Sequence, residues 1–184
     1  MRKWKAFFSQ TGSELFEVCR AIDRYPDTII YNTNFGKIPV NGEFMLAVTK
    51  DRVAPMTILP NQPRVQDYEQ VLDEGDIVTL HGWLRIVPPE ICNEFEIYNG
   101  HPGLITEYPE LKGKDPQAKA YELDLPESGC VIHKVTPEVD DGEVLASTKM
   151  RIANMELDAI IKELHDISIE LWTEFLQEKF KETE

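Results

Sequence analysis

Short apolar runs alternate with helically spaced apolar positions along the first half of the chain. Residues 3–9 (KWKAFFS) predict a strand, and residues 12–22 the helix after it. Residues 28–31 (TIIY) predict a second strand. The stretch from there to Pro55 is rich in Asn, Gly and Pro and carries no clear period. Residues 56–59, bounded by Pro55 and Pro60, form a third strand candidate, and residues 65–72 have helical spacing. Residues 77–80 (IVTL) form a continuous apolar run of the kind that is buried on both faces. Pro88 and Pro89 suit the first turn of a short helix, and residues 96–99 lead into another strand end.

This βαβα rhythm predicts a parallel sheet with helices on both faces. Residues 130–135 and 144–152 predict two further strands, antiparallel to each other. A long helix over 155–181 closes the chain, with Leu157, Ile160, Ile161, Leu164, Leu171, Phe175 and Leu176 near one stripe. Ile167 and Trp172 lie off that stripe; they suit packing on the sheet and also leave an oligomer open. The expected fold is therefore Rossmann-like α/β, mostly parallel, twisted, and contained in a single domain over residues 1–184.

Composition narrows the function classes. A formal net charge of -14 favours solubility and repels polyanions, so neither a nucleic acid nor an anionic membrane is expected as partner. No apolar stretch reaches the ~20 residues that cross a bilayer, and the N-terminal apolar run is too short for a signal peptide, so a cytoplasmic location is expected. Cys19, Cys92 and Cys130 are scattered without a C-x-x-C pair, which reads as buried reduced thiols rather than a disulfide framework or zinc site. The carboxylates do not cluster with histidines at ligand spacing, so no metal is expected.

In such sheets ligands bind beyond the carboxyl ends of the strands. Three segments fall there: residues 9–14, the segment after Leu80, and the segment after Tyr98. The last reads Asn99-Gly100-His101-Pro102-Gly103, and further on come Ser128-Gly129-Cys130-Val131-Ile132-His133 and Val139-Asp140-Asp141-Gly142. Together they offer an amide donor for a developing oxyanion, an imidazole for proton transfer, and a carboxylate to hold that imidazole or activate water. The trio suits acyl transfer to an amine. Each residue alone also suits a plainer role: Asn99 as a turn cap, His101 as an exposed turn residue, Asp140 and Asp141 as shapers of a D-D-G turn. A dinucleotide fingerprint is missing, because the loop after the first strand reads Ser9-Gln10-Thr11-Gly12-Ser13 rather than G-x-G-x-x-G.

Taken together, Asn99-x-His101-Pro102, residues 80–87 (LHGWLRIV) and residues 129–142 resemble the folate-dependent formyltransferases. The resemblance implies transfer of a formyl group from 10-formyltetrahydrofolate to the primary amine of a small molecule. By resemblance Asn99 polarises the formyl oxygen, and His101 stabilises the intermediate and moves protons. Asp140, two positions before Gly142, assists His101. Leu84, Arg85, Ile86 and Val87, with the loop Thr136, Val139 and Asp140, would hold the pterin through backbone groups. His133 matches a position lining the same region on the acceptor side.

Gly12, Ser13 and Glu14 resemble the loop that holds the phosphate of glycinamide ribonucleotide, which makes purine biosynthesis the expected setting. Glu14 stands where that loop usually has an asparagine. Residues 112–116 (KGKDP) resemble instead the branches that act on tRNA and sugars. The resemblance leaves as alternatives an amino-sugar nucleotide or another amine, hydrolysis of the formyl folate, and folate binding without catalysis.

Overall fold

The computed structural model describes residues 2–32, 40–50 and 53–182. Seven strands form a sheet in the order β3-β2-β1-β4-β5-β6-β7. The described residues divide into two compact units, one up to Tyr98 and one from Asn99 to Glu182.

The first unit alternates strand and helix: β1 (Trp4–Phe8), α1 (Ser13–Ile22), β2 (Thr28–Tyr31), α2 (Gly42–Lys50), β3 (Met56–Ile58), α3 (Val65–Glu69), β4 (Ile77–Leu80) and α4 (Pro89–Glu94). Its strand pairs are parallel, with Ala6 beside Ile29 on one side and Thr79 on the other. Every residue of β1 and β4 is buried, Lys5 of β1 included, and β4 reads as a continuous run for that reason. The chain leaves β1 in one direction for β2 and β3, then returns to its other side as β4. The topological switch point therefore lies at the carboxyl ends of β1 and β4.

Local chemistry sets the entry to α1. Gly12 is its N-cap in the left-handed region at φ 72°, where an added Cβ would lie 2.8 Å from ring carbons of Phe44. Asn41 caps α2, its Oδ1 accepting the Phe44 N–H at 2.9 Å. No helix was expected there, because the stretch is rich in Asn, Gly and Pro and carries no clear period. Residues 33–39 and 51–52 of that unassigned stretch lie outside the described residues.

The second unit holds the end of β5 (Ile97–His101), then α5 (Pro116–Glu122), β6 (Glu127–Lys134), β7 (Val144–Arg151) and α6 (Leu157–Lys181). β6 and β7 pair antiparallel, and their register shifts between Ile132 and His133, leaving Leu145 as the extra residue. α6 covers one face of this unit's strands. The Cys130 thiol bonds the Leu164 carbonyl at 3.2 Å, and the Trp172 indole packs where a Cβ on Gly100 would stand, 2.5 Å from Nε1. Trp172, off the expected stripe, is fully buried, whereas Ile161, expected on it, is exposed. All three cysteines are buried and unpaired to one another. Among the described residues no helix is long and apolar enough to cross a membrane.

Candidate active site

Alternation along β5 puts Asn99 and His101 on one face and Gly100 on the other, against Trp172. Along β6 the same alternation puts Cys130 under α6 and His133 on the opposite face. Asn99, His101 and His133 thus share the face that α6 leaves uncovered. Asp140 comes from the turn between β6 and β7, held left-handed at φ 52°, a conformation Asp tolerates at a cost of about 1 kcal/mol.

These four side chains form one connected group. His101 Nε2 lies 2.7 Å from the Leu111 carbonyl, which can only accept, so that nitrogen carries a proton. Its Nδ1 faces Asp140 Oδ2 at 3.4 Å. Asp140 Oδ2 also accepts the Gly113 N–H at 2.8 Å, and Oδ1 lies 3.3 Å from His133 Nε2. Asn99 Nδ2 reaches the same His133 nitrogen at 3.2 Å. His101 and His133 are buried, and only a tenth of the Asp140 side chain is exposed.

Burial pulls the pKa of His101 below the ordinary histidine value, outweighing the pull of Asp140 and the Leu111 carbonyl in the other direction. Burial alone would raise the Asp140 carboxyl. The His133 ring beside it, the His101 ring and the Gly113 N–H outweigh it and hold the group below the usual carboxylate range. The arrangement is a neutral imidazole beside an ionised carboxylate. A proton arriving on Nδ1 would be received by a base and stabilised at once by its neighbour. Asp141 turns away to pair with Lys112.

In the first unit the switch point is built from the loops after β1 and β4. Ser9 donates its N–H to the Gly82 carbonyl at 3.2 Å, and its Oγ accepts the Leu84 N–H at 3.0 Å. Arg85 is tied to Asn61 and to the Leu84 carbonyl. Leu84 and Ile86 present apolar side chains outward, 56% and 75% exposed, while Val87 is buried. Gly12, Ser13 and Glu14 open α1 here. The Glu14 carboxylate faces His81 Nδ1 at 3.1 Å, and His81 Nε2 meets Thr79 Oγ1 at 3.0 Å. Thr79 in turn accepts the Trp4 indole N–H at 2.8 Å. His81 was not singled out from the sequence; its place directly after the β4 run was the available signal.

In the second unit, Thr136 closes its own loop by donating Oγ1–H to the Glu138 carbonyl at 3.0 Å, and Val139 is 55% exposed. Among the described residues no group of three or more His, Cys, Asp or Glu side chains is placed to hold a metal ion.

The open, mostly parallel α/β sheet, with an amide, two imidazoles and a carboxylate gathered at a strand end, is Rossmann-like. More narrowly, the chain belongs to the formyl transferase family, whose profile matches residues 47–174. Phosphoribosylglycinamide formyltransferase of Dictyostelium discoideum is 31% identical over 96 residues, covering 48% of this chain and 45% of that protein. The Haemophilus influenzae protein of the same name is 32% identical over 90 residues, 48% of this chain and 41% of that one. The matched stretch therefore spans less than half the length of these curated relatives. The solved phosphoribosylglycinamide formyltransferase of Streptococcus pneumoniae aligns with a TM-score of 0.78 at 25% identity, covering 98% of this chain and 99% of that one. A formyltetrahydrofolate deformylase from Pseudomonas syringae shares the fold, with a TM-score of 0.74 at 17% identity over 96% of this chain and 60% of that one.

Proposed function

We propose that the protein transfers a formyl group from 10-formyltetrahydrofolate to the primary amine of a small acceptor, with glycinamide ribonucleotide the first acceptor. The observation that carries this reading is the Asn99–His133–Asp140–His101 group on one sheet face, in a chain of the formyl transferase family. The acceptor follows the names of the relatives. The matched segment runs through both compact units, which supports treating the chain as one catalytic domain.

The residues divide the work as follows. Asn99 retains an amide N–H beyond the one facing His133, and donates it to the formyl oxygen as that oxygen gains charge. His101 Nδ1 takes a proton lost by the attacking amine, and Asp140 stabilises the resulting imidazolium. The ring returns the proton to the departing folate nitrogen as the bond between that nitrogen and the formyl carbon breaks. The outward apolar side chains of Leu84 and Ile86 suit the flat face of a pterin, with backbone groups around Arg85 reading its edge. Bound there, the folate supplies the activated formyl group. No metal enters the scheme.

One observation favours a second acceptor. The Glu14 carboxylate stands in the first turn of α1, fixed by His81, where a phosphate dianion would meet like charge. An amine acceptor without a phosphate at that point, an amino sugar for example, is the second reading. Glycinamide ribonucleotide and an amino-sugar nucleotide are compared by the rate of acceptor-dependent loss of 10-formyltetrahydrofolate. Turnover with the first supports the primary reading, turnover with the second alone the other, and loss without acceptor identifies a hydrolase.

A further inference from the structure

We propose that His133 is a positioning residue that fixes which way the Asn99 carboxamide faces, and so which of its groups meets the formyl oxygen. The inference rests on the formyl-transfer reading above. It starts from the ring's own hydrogen bonds. His133 Nδ1 lies 3.0 Å from the Lys134 carbonyl, and because a carbonyl only accepts, Nδ1 carries the proton. In the neutral ring Nε2 is then a lone pair. It is this atom that stands 3.2 Å from Asn99 Nδ2.

A carboxamide has two ends of opposite character and nearly equal shape, so its neighbours decide the orientation. With the NH₂ end toward Nε2, a donor meets an acceptor. With the oxygen there, two lone pairs would meet. The alternative is a charged His133 that donates to Asp140 and accepts the Asn99 oxygen. That state would leave two imidazoles, His101 and His133, competing for the charge of one largely buried carboxylate. Once His101 took up its proton, two buried cations would share one anion, an arrangement with an uncompensated charge. A neutral His133 leaves Asp140 to His101.

The sheet geometry supports a specific placement of this ring. Alternation along β6 puts His133 on the face opposite Cys130, and the extra residue of the β6–β7 register shift, Leu145, lies on the neighbouring strand. The ring is then held at both nitrogens and is almost fully buried. It touches the amide that receives the formyl oxygen and the carboxylate that serves the base, without itself occupying the reacting position.

Two measurements test the proposal. In the free wild-type protein, ¹⁵N spectra at pH 8 should show His133 with a protonated Nδ1 and an unprotonated Nε2. The reverse tautomer, or a doubly protonated ring, would overturn the assignment whether or not any formyl transfer is seen. In kinetics, His133→Leu should lower kcat about 30-fold, the scale of one misdirected hydrogen bond, with KM for folate and amine within about threefold. His133→Gln, which returns an amide oxygen to the place of Nε2, should recover to within about fivefold of wild type. A kcat unaffected by His133→Leu, a loss carried by KM, or a Gln variant as impaired as the Leu variant would each contradict a positioning role. Absence of turnover in the wild type would sink the formyl-transfer reading, while the tautomer would still decide the orientation.

Discussion

The neighbours of His101 decide which of its two ring nitrogens is open to proton exchange. Its Nε2 is committed to the Leu111 carbonyl, so Nδ1 is the nitrogen left to exchange a proton, and that nitrogen faces Asp140. Replacing Asp140 by Asn keeps the shape but removes the charge that stabilises the imidazolium. The expected result is a fall in kcat of about a hundredfold with little change in KM, read by steady-state kinetics. Glu14 makes a separate prediction at this scale. If it faces the acceptor, Glu14→Gln should lower KM for a phosphorylated acceptor by about tenfold, since the change removes roughly one unit of like charge near the surface. An unchanged KM would place the phosphate elsewhere. Asn99, His101 and Asp140 were read from the sequence as a set, through their joint spacing and its resemblance to a known family, since each alone also suits a cap or a turn. Their partners were not: Leu111, Gly113 and Lys134 contribute backbone groups, which leave no mark on residue identity.

At the scale of elements, β5 is the strand on which two demands meet. One face carries Asn99 and His101, and the other must admit the Trp172 indole, which only a glycine at position 100 allows. Gly100→Ala should destabilise the protein by about 1–3 kcal/mol through overpacking, measured by urea unfolding. A loss below 0.5 kcal/mol would mean that α6 gives way freely. The central strands of the first unit were readable because they are buried on both faces, so that β4 shows as a continuous run and β1 as an apolar run broken only by Lys5. α2 was hidden in a stretch rich in Asn, Gly and Pro with no clear period, yet the Asn41 side chain there starts a helix. α5 opens with Pro116 at its first turn, a signal present but not used. For α6 the periodicity was right in kind and misplaced in detail. Trp172 is buried because the sheet beneath it offers the space left by Gly100, a fact of tertiary packing that no helical period contains.

The whole molecule should carry the signature of its buried site in the pH dependence of stability. His101 has its folded pKa below the unfolded value, so the unfolded chain binds the proton first as pH falls. Its contribution is complete above about pH 6.5 and declines below it. Asp140 is likewise depressed, so its share is complete above about pH 3.9 and is lost as pH falls through the folded value. Unfolding free energies measured from pH 8 to pH 4 should therefore drop in the first window for wild type and more shallowly for His101→Gln. Equal slopes would show that the ring is as easily charged in the folded protein as in the unfolded chain.

The central claim is that a formyl group passes to an amine at the site built on Asn99, His101 and Asp140. The most direct measurement is the spectrophotometric loss of 10-formyltetrahydrofolate with glycinamide ribonucleotide, other primary amines and no acceptor, with His101→Ala beside the wild type. The account predicts acceptor-dependent turnover in the wild type and a loss of at least about a hundredfold in the variant, its fold intact by circular dichroism. No turnover with any amine, or a His101→Ala rate within about threefold of wild type, would contradict it.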